Sequence, residues 1–333
     1  MKRLINNKEV KKERIKFSPS GTTLMDLSIK KGLPFGRIIT LAGDYSTGKS
    51  FLASDFIAAG RKKYGKNFRW FYDDVEAGHN FSENLFGFSL IPSDQESSST
   101  LEHFITNIKD KVKKLKKGQK FIYVLDSLDA LPTKKEREGF DEEKDSSSGY
   151  NLDKQKKLSA FFRVISDIIA QKNFILVIVS QLRENIGGGL FSPKYKKSGG
   201  KAPDYYSSVT FWLYKSEVLL KKNKAVGVSI KVKNTKNKIG PPFRDVFLNL
   251  FFEYGIDNIS SNIDYLFGLK SSNGKISKKK SEKIKWEGKN FKREELILFV
   301  EDNNQEDLLE KKVKERWERE EKESSTQRKS KYE

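Results

Sequence analysis

Eight consecutive residues carry the strongest chemical signal in the chain: Gly43-Asp44-Tyr45-Ser46-Thr47-Gly48-Lys49-Ser50. They satisfy G-x-x-x-x-G-K-[ST] at every fixed position, a pattern that holds phosphates. Its glycines let backbone N–H groups wrap an anion, and the following helix adds positive potential at its N-terminus. Lys49 is expected to reach the β and γ phosphates of ATP, and Ser50 to ligand Mg2+.

Three further candidates lie at the ends of apolar runs. Asp126 follows residues 121–125. In an open α/β sheet that position borders the phosphate loop, where a carboxylate can hold Mg2+ directly or through water. Glu76 closes Phe71-Tyr72-Asp73-Asp74-Val75-Glu76, and a base there could orient and deprotonate an attacking water. Asp73 and Asp74 compete for that role, and spacing alone does not choose. Gln181 follows residues 174–179. Its amide could contact a γ-phosphate, or it could simply be a polar strand terminus.

Beyond Gln181 comes a glycine-rich stretch without periodicity, residues 187–206. Loops of that length inside a compact domain are functional or disordered. Arg183, Lys194, Lys196, Lys197 and Lys201 stand among Phe191 and Tyr195. Cations interleaved with aromatics suit single-stranded nucleic acid, ammoniums meeting phosphates and rings meeting bases. The plainer reading is a solvated lid. A second polar loop is expected over 134–149, directly after the Asp126 strand, so both loops leave the carboxyl edge of the same sheet.

Positioning these groups requires a parallel α/β sheet. Strands are expected over 38–42, 68–72, 121–125 and 174–179, short apolar runs suited to a sheet covered on both faces. Helices are expected over 50–64, 101–116 and 158–169. Residues 209–213, 226–232 and 246–252 then read as antiparallel strands extending the sheet. The expected division is a basic arm over 1–16, a core over 17–260 ending at a linker near Ser260, a small α+β domain over 261–317, and a disordered tail over 318–333.

Composition narrows the function classes. The chain has 333 residues, no cysteine and two histidines, which excludes thiol catalysis, disulfides and cysteine-ligated zinc. The net charge of +20 favours an anionic partner. Residues 275–293 hold nine Lys or Arg against two Glu, a stretch that could capture duplex DNA or could be a solvated face. No run approaches the ~20 apolar residues of a membrane span, and no secretory signal follows Met1. The expectation is a cytoplasmic protein without a membrane partner.

From about Phe17 to Trp317 the chain resembles the RecA recombinases of bacteria and their phage homologues. The resemblance is carried by Gly36-Arg37-Ile38-Ile39 before the phosphate loop, Asp74-Val75-Glu76, Leu125-Asp126-Ser127, 180–187, Ser198-Gly199-Gly200, 205–209 and 236–243. It implies a RecA-like ATPase core with a small C-terminal α+β domain, forming a helical filament on single-stranded DNA and pairing it with double-stranded DNA. By the same resemblance Glu76 is the catalytic glutamate and Gln181 the sensor of the γ-phosphate. Lys236 and Lys238 reach the ATP of the neighbouring protomer, and Tyr254-Gly255 touches adenine. The stretches 134–149 and 187–201, the latter with Gly199 and Gly200, match the two DNA-binding loops. Phe191 falls at the residue wedged between bases, and Ser159 and Arg163 flank the first loop. Ala77 stands where the family usually has histidine, and Asp141, Glu142, Glu143 and Asp145 make the first loop acidic. Two rivals share the core: a ring-forming helicase or motor, and a recombination mediator that binds ATP and DNA without exchange.

Overall fold

The apolar runs alternate with a period of two, and the two sets of side chains enter two different cores. In the computed structural model, which describes residues 15–78, 85–92, 95–141, 147–184, 195–197, 202–270, 283–326 and 328, Ile175, Val177 and Val179 pack into one apolar cluster. Phe174, Leu176 and Ile178 of the same strand pack into another. Ile122 and Val124 likewise join the first, while Phe121, Tyr123 and Leu125 join the second. A sheet buried on both faces follows.

That sheet contains β3 (Arg37–Gly43), β4 (Phe68–Asp74), β5 (Lys120–Asp126), β6 (Phe174–Glu184), β8 (Val209–Lys221), β9 (Lys224–Asn237), β10 (Val246–Phe251) and β11 (Gly255–Asp257). Their order across it is β11-β10-β9-β8-β3-β6-β5-β4, and β7 (Tyr195–Lys197) pairs with β6 off that path. The five strands from β8 to β4 are mutually parallel, and β9, β10 and β11 extend them antiparallel. A separate ribbon pairs β1 (Phe17–Ser18) with β2 (Leu33–Pro34). The fold is thus the expected mostly parallel α/β sheet with an antiparallel extension. β8 differs in one respect: it was expected as an antiparallel strand, and it is parallel to β3 while antiparallel to β9.

One face carries α1 (Thr23–Ile29) and α2 (Lys49–Tyr64), with Leu24, Met25, Leu52 and Phe56 in the first cluster. The other carries α3 (Leu101–Lys114) and α5 (Ser147–Ala170), with Phe104, Ile108, Phe162 and Ile165 in the second. The polar stretch expected as a loop over 134–149 contains α4 (Lys134–Asp141) and the start of α5. α6 (Ala202–Tyr206) leads into β8.

The stretch near Ser260, expected as a linker, is α7 (Asn258–Leu266), and Ser260, Ser261 and Asn262 are buried. Their polarity misleads because each residue finds a hydrogen-bond partner inside the fold. Asp257 caps the Ser260 N–H at 2.9 Å, Ser261 Oγ accepts from the Asn249 N–H at 2.9 Å, and Asn262 donates to Thr23 at 3.1 Å. The C-terminal part comprises the ribbon β12 (Ile284–Trp286)–β13 (Lys289–Phe291), then α8 (Arg293–Asp302) and α9 (Glu306–Ser324). It packs directly on the first cluster through Trp286, Leu296, Val300, Leu309 and Val313. Arg293 forks onto Asp264 at 2.6 and 2.9 Å, and Lys270 reaches Ser229 and Asn249 at 2.5 Å. The first seven residues of the expected disordered tail, 318–324, are helical, and Glu321 is held bidentately by Arg244. Among the described residues no helix is long and apolar enough to cross a membrane.

Candidate active site

β3 ends at Gly43 and α2 begins at Lys49, so the phosphate loop fills the gap between a central strand and a helix N-terminus. Gly48 takes a left-handed φ of 81°, and a Cβ there would lie 2.5 Å from Ile230 Cδ1. Only glycine meets both conditions. The loop is tied inward: Thr47 Oγ1 donates to the Asp44 carbonyl at 2.8 Å and Lys49 Nζ to the same oxygen at 2.7 Å. Burial lowers the Lys49 pKa, while Asp126, Glu76, Asp44 and Asp129 pull it back up. A desolvated ammonium ringed by carboxylates is poised to exchange that field for a polyphosphate.

Asp126 ends β5 beside Asp74 of β4. Tyr72 donates its hydroxyl to Asp126 Oδ2 at 2.6 Å, and the Ser50 side chain also bonds this carboxylate. Burial raises the Asp126 pKa against those two hydrogen bonds. Ser50 and Asp126 therefore offer two adjacent hard oxygens. Among the described residues no cluster of three or more His, Cys, Asp or Glu could hold a metal. This donor set fits Mg2+, which takes one or two protein oxygens and completes its shell from phosphate and water.

The three acidic candidates at the end of β4 separate cleanly. Asp73 is fully buried on the opposite face, where it accepts from the Ser98 N–H, the Ser98 hydroxyl and the Tyr123 hydroxyl, each at 2.6 Å. It faces away from the phosphate loop. Asp74 accepts from the Gly78 N–H at 3.3 Å. Glu76 is exposed; its Oε1 accepts from the Ser127 hydroxyl and from Gln181 Nε2, the latter at 3.2 Å. Glu76, Ser127, Gln181, Asp126 and Lys49 thus gather at the carboxyl edge of the sheet.

β6 does not stop at Gln181. It continues to Glu184 and pairs antiparallel with β7, setting Arg183 opposite Lys196 and Leu182 opposite Lys197. The long stretch after Gln181 therefore begins and returns as a ribbon on the strand that carries Gln181. Phe191, Lys194, Gly199, Gly200 and Lys201 lie outside the described residues. Ser159 and Arg163 lie one turn apart on α5, Arg163 exposed.

Lys236 and Lys238 are not brought to this edge. Lys236 pairs with Thr210, and Thr210 with Thr40. That level is three residues, about 10 Å of strand, before Gly43. Lys236 donates to the Asp204 and Tyr205 carbonyls, Lys238 to that of Tyr205. Tyr254 closes the turn into β11, which starts at Gly255 and packs beside α2. Tyr254 is exposed and lines a cavity of about 710 Å³ with Phe252, Ile297 and Leu298.

Two residues of the site were not singled out from sequence. Tyr72 looked like an ordinary strand aromatic; its position two residues before Asp74, on the same face, was the available signal. Asp129 holds the Gln181 N–H at 2.5 Å, and the repeated Asp-x-x-Asp of 126–129 was its only trace.

Residues 2–257 match the model of the RecA N-terminal domain. The chain belongs to the RecA family. Its similarity to curated RecA proteins extends past that domain. It is 29% identical to the RecA of Trichodesmium erythraeum over 297 residues, 85% of this chain and 75% of the relative. It is 30% identical to that of Mycoplasma mycoides over 300 residues, 84% and 82% of the two chains. It is 30% identical to that of Ehrlichia ruminantium over 256 residues, 76% and 68%. Family membership agrees with the phosphate-loop sheet and its antiparallel extension.

Proposed function

We propose that the chain is an ATP-dependent homologous recombination protein: it forms filaments on single-stranded DNA, pairs that strand with homologous duplex, exchanges strands, and hydrolyses ATP when DNA is bound. The observation that carries this reading is the bond from Gln181 to Glu76 on the strand that continues into the β6–β7 ribbon. One residue thereby touches the candidate general base and belongs to the element that carries the cationic stretch.

In this reading Gly43 to Gly48 cradle the phosphates and Lys49 neutralises them. Ser50 and Asp126 would hold Mg2+, which supplies charge neutralisation at the β and γ oxygens. Glu76 orients a water and accepts its proton. Gln181, bonded to Glu76 at 3.2 Å, turns to the γ-phosphate when ATP binds. Lys236 and Lys238, about 10 Å of strand from their own phosphate loop, serve the ATP of an adjacent protomer, where cations stabilise transition-state charge as an arginine finger does. Tyr254 and Gly255 contact adenine. Ser159, Arg163 and the residues of the β6–β7 stretch contact DNA, with Phe191 between bases.

The experiment is strand exchange between a circular single strand and a linear homologous duplex, with and without ATP, alongside electron microscopy of filaments. ATP-dependent product with filaments is expected. DNA-stimulated ATPase without product would favour a motor or a mediator.

A further inference from the structure

The backbone of Gln181 has lost its strand partner on one side. The β5–β6 ladder ends at Leu125↔Ile178, while β6 runs on to Glu184. On the other side β3 pairs with β6 as far as Gly43↔Gln181. A backbone N–H left without an acceptor at such a place is costly to bury. Here a side chain replaces the missing strand: Asp129 Oδ2 accepts the Gln181 N–H at 2.5 Å. Asp129 sits in the 3-10 turn Leu128–Ala130, immediately past Asp126 and Ser127. Its other oxygen, Oδ1, is buried and has no hydrogen-bond partner among the described residues.

Gln181 is therefore held at two points with different characters. Its backbone is fixed to the turn after β5, and its side chain rests on Glu76 through a 3.2 Å bond. The first contact is short and charge-assisted. The second is a long bond at an exposed carboxylate, the one that a γ-phosphate would compete with.

We propose that Asp129 is a positioning residue that couples nucleotide state to DNA binding. It pins the Gln181 backbone, so that a swing of the Gln181 side chain between Glu76 and a γ-phosphate is carried into the β6–β7 ribbon and is not absorbed by slack in the strand. The inference rests on Gln181 sensing the γ-phosphate. Asp129 acts through Gln181, whose backbone N–H it accepts.

The test uses the full chain, Asp129→Ala and Asp129→Asn, with a thermal melt of each as a folding control. Affinity for a fluorescent single-stranded oligonucleotide is measured with ATPγS and with ADP, and their ratio is the readout. In Asp129→Ala that ratio is expected to fall about tenfold, within the usual range of coupling between sites. Asp129→Asn keeps an oxygen that can accept the N–H, and is expected to recover most of the ratio; a purely electrostatic role would leave both variants equally impaired. Should Asp129→Ala fail to fold, hydrogen exchange at the Gln181 amide of the wild-type chain decides. Protection supports the clamp, and exchange at the rate of an open loop overturns it. A wild-type ratio that Asp129→Ala leaves intact overturns the proposal alone. A wild-type ratio near one overturns the sensor role of Gln181, and the proposal with it.

Discussion

Gln181 Nε2 lies 3.2 Å from Glu76 Oε1, joining two residues 105 positions apart in the chain. β4 delivers the carboxylate and β6 the amide, with β5 between them. The bond exists because both strands run parallel toward the same edge of the sheet: Glu76 lies two residues past the end of β4, and Gln181 lies on β6 past the end of its ladder with β5 and level with Gly43 of the phosphate loop.

Glu76→Gln preserves size and a hydrogen-bond acceptor for Ser127 while removing the base. ATP affinity should be retained, and turnover should fall by about 10²–10⁴, the usual worth of a positioned general base. Filaments formed with ATP should then outlast those of the wild type in a dilution assay. Asp74→Asn is the control. If it stops turnover while Glu76→Gln does not, the base has been misassigned.

How much of this was legible before the fold was known depends on which force decides each element. Residues 174–179 are all apolar, so burial alone marks them as a strand; the continuation Ser180-Gln181-Leu182-Arg183-Glu184 is mostly polar and became visible as strand only through its pairing with β7. Ser260-Ser261-Asn262 read as a linker because polarity signals solvent, and only tertiary contacts with Asn249, Asp257 and Thr23 reverse that. Gly48, Lys49 and Ser50 were readable because phosphate chemistry fixes both residue type and spacing. Asp73 against Glu76 was not, since a face of a strand is assigned by what packs on it. The same holds for Asp129, whose role depends on where an unrelated ladder ends.

Asp55 supplies a test by pH. Burial alone pushes its carboxyl up to about 8 from an ordinary 3.8, although the residue keeps some surface on a cavity of about 540 Å³ lined by Gly21, Ala58, Phe86 and Phe88. Between those two values the folded chain holds a proton that the unfolded chain has lost. Stability attributable to this group therefore falls as pH rises from about 4 to about 8, and is flat above. Asp55→Asn, neutral throughout, should melt at least ~2 °C above the wild type at pH 7.5, since 1 kcal/mol moves Tm by about 2–4 °C in chains of 150–250 residues. The gap should close near pH 4. Equal melting temperatures at pH 7.5 would show that the carboxyl ionises without penalty.

In the proposed reading the β7 lysines set the salt dependence of DNA binding. Each phosphate neutralised on a single strand contributes about 0.7 to the slope of log affinity against log salt. Lys196→Ala with Lys197→Ala should make that slope shallower by about 1.4, and weaken binding to oligonucleotides of different sequence to a similar degree. An unchanged slope would take these lysines off the DNA path.

Lys236 and Lys238 provide the sharpest separation between a filament enzyme and a protomer that works alone. Both donate to backbone carbonyls of Asp204 or Tyr205 at a level of the sheet well before Gly43, so neither is placed to serve the chain's own phosphate loop. The double variant Lys236→Ala/Lys238→Ala should bind nucleotide as isolated protomers do, and lose DNA-stimulated turnover by about 10³ or more, the worth of an in-trans cation. Lys49→Ala should also be inactive, because its own loop cannot hold the triphosphate. Mixing the two inactive chains is the decisive measurement. Wherever a protomer with an intact loop meets a neighbour with intact lysines, one complete site forms, and ATPase activity should return in the mixture. A mixture that stays silent across all ratios, although filaments assemble, would place the lysines outside the catalytic interface.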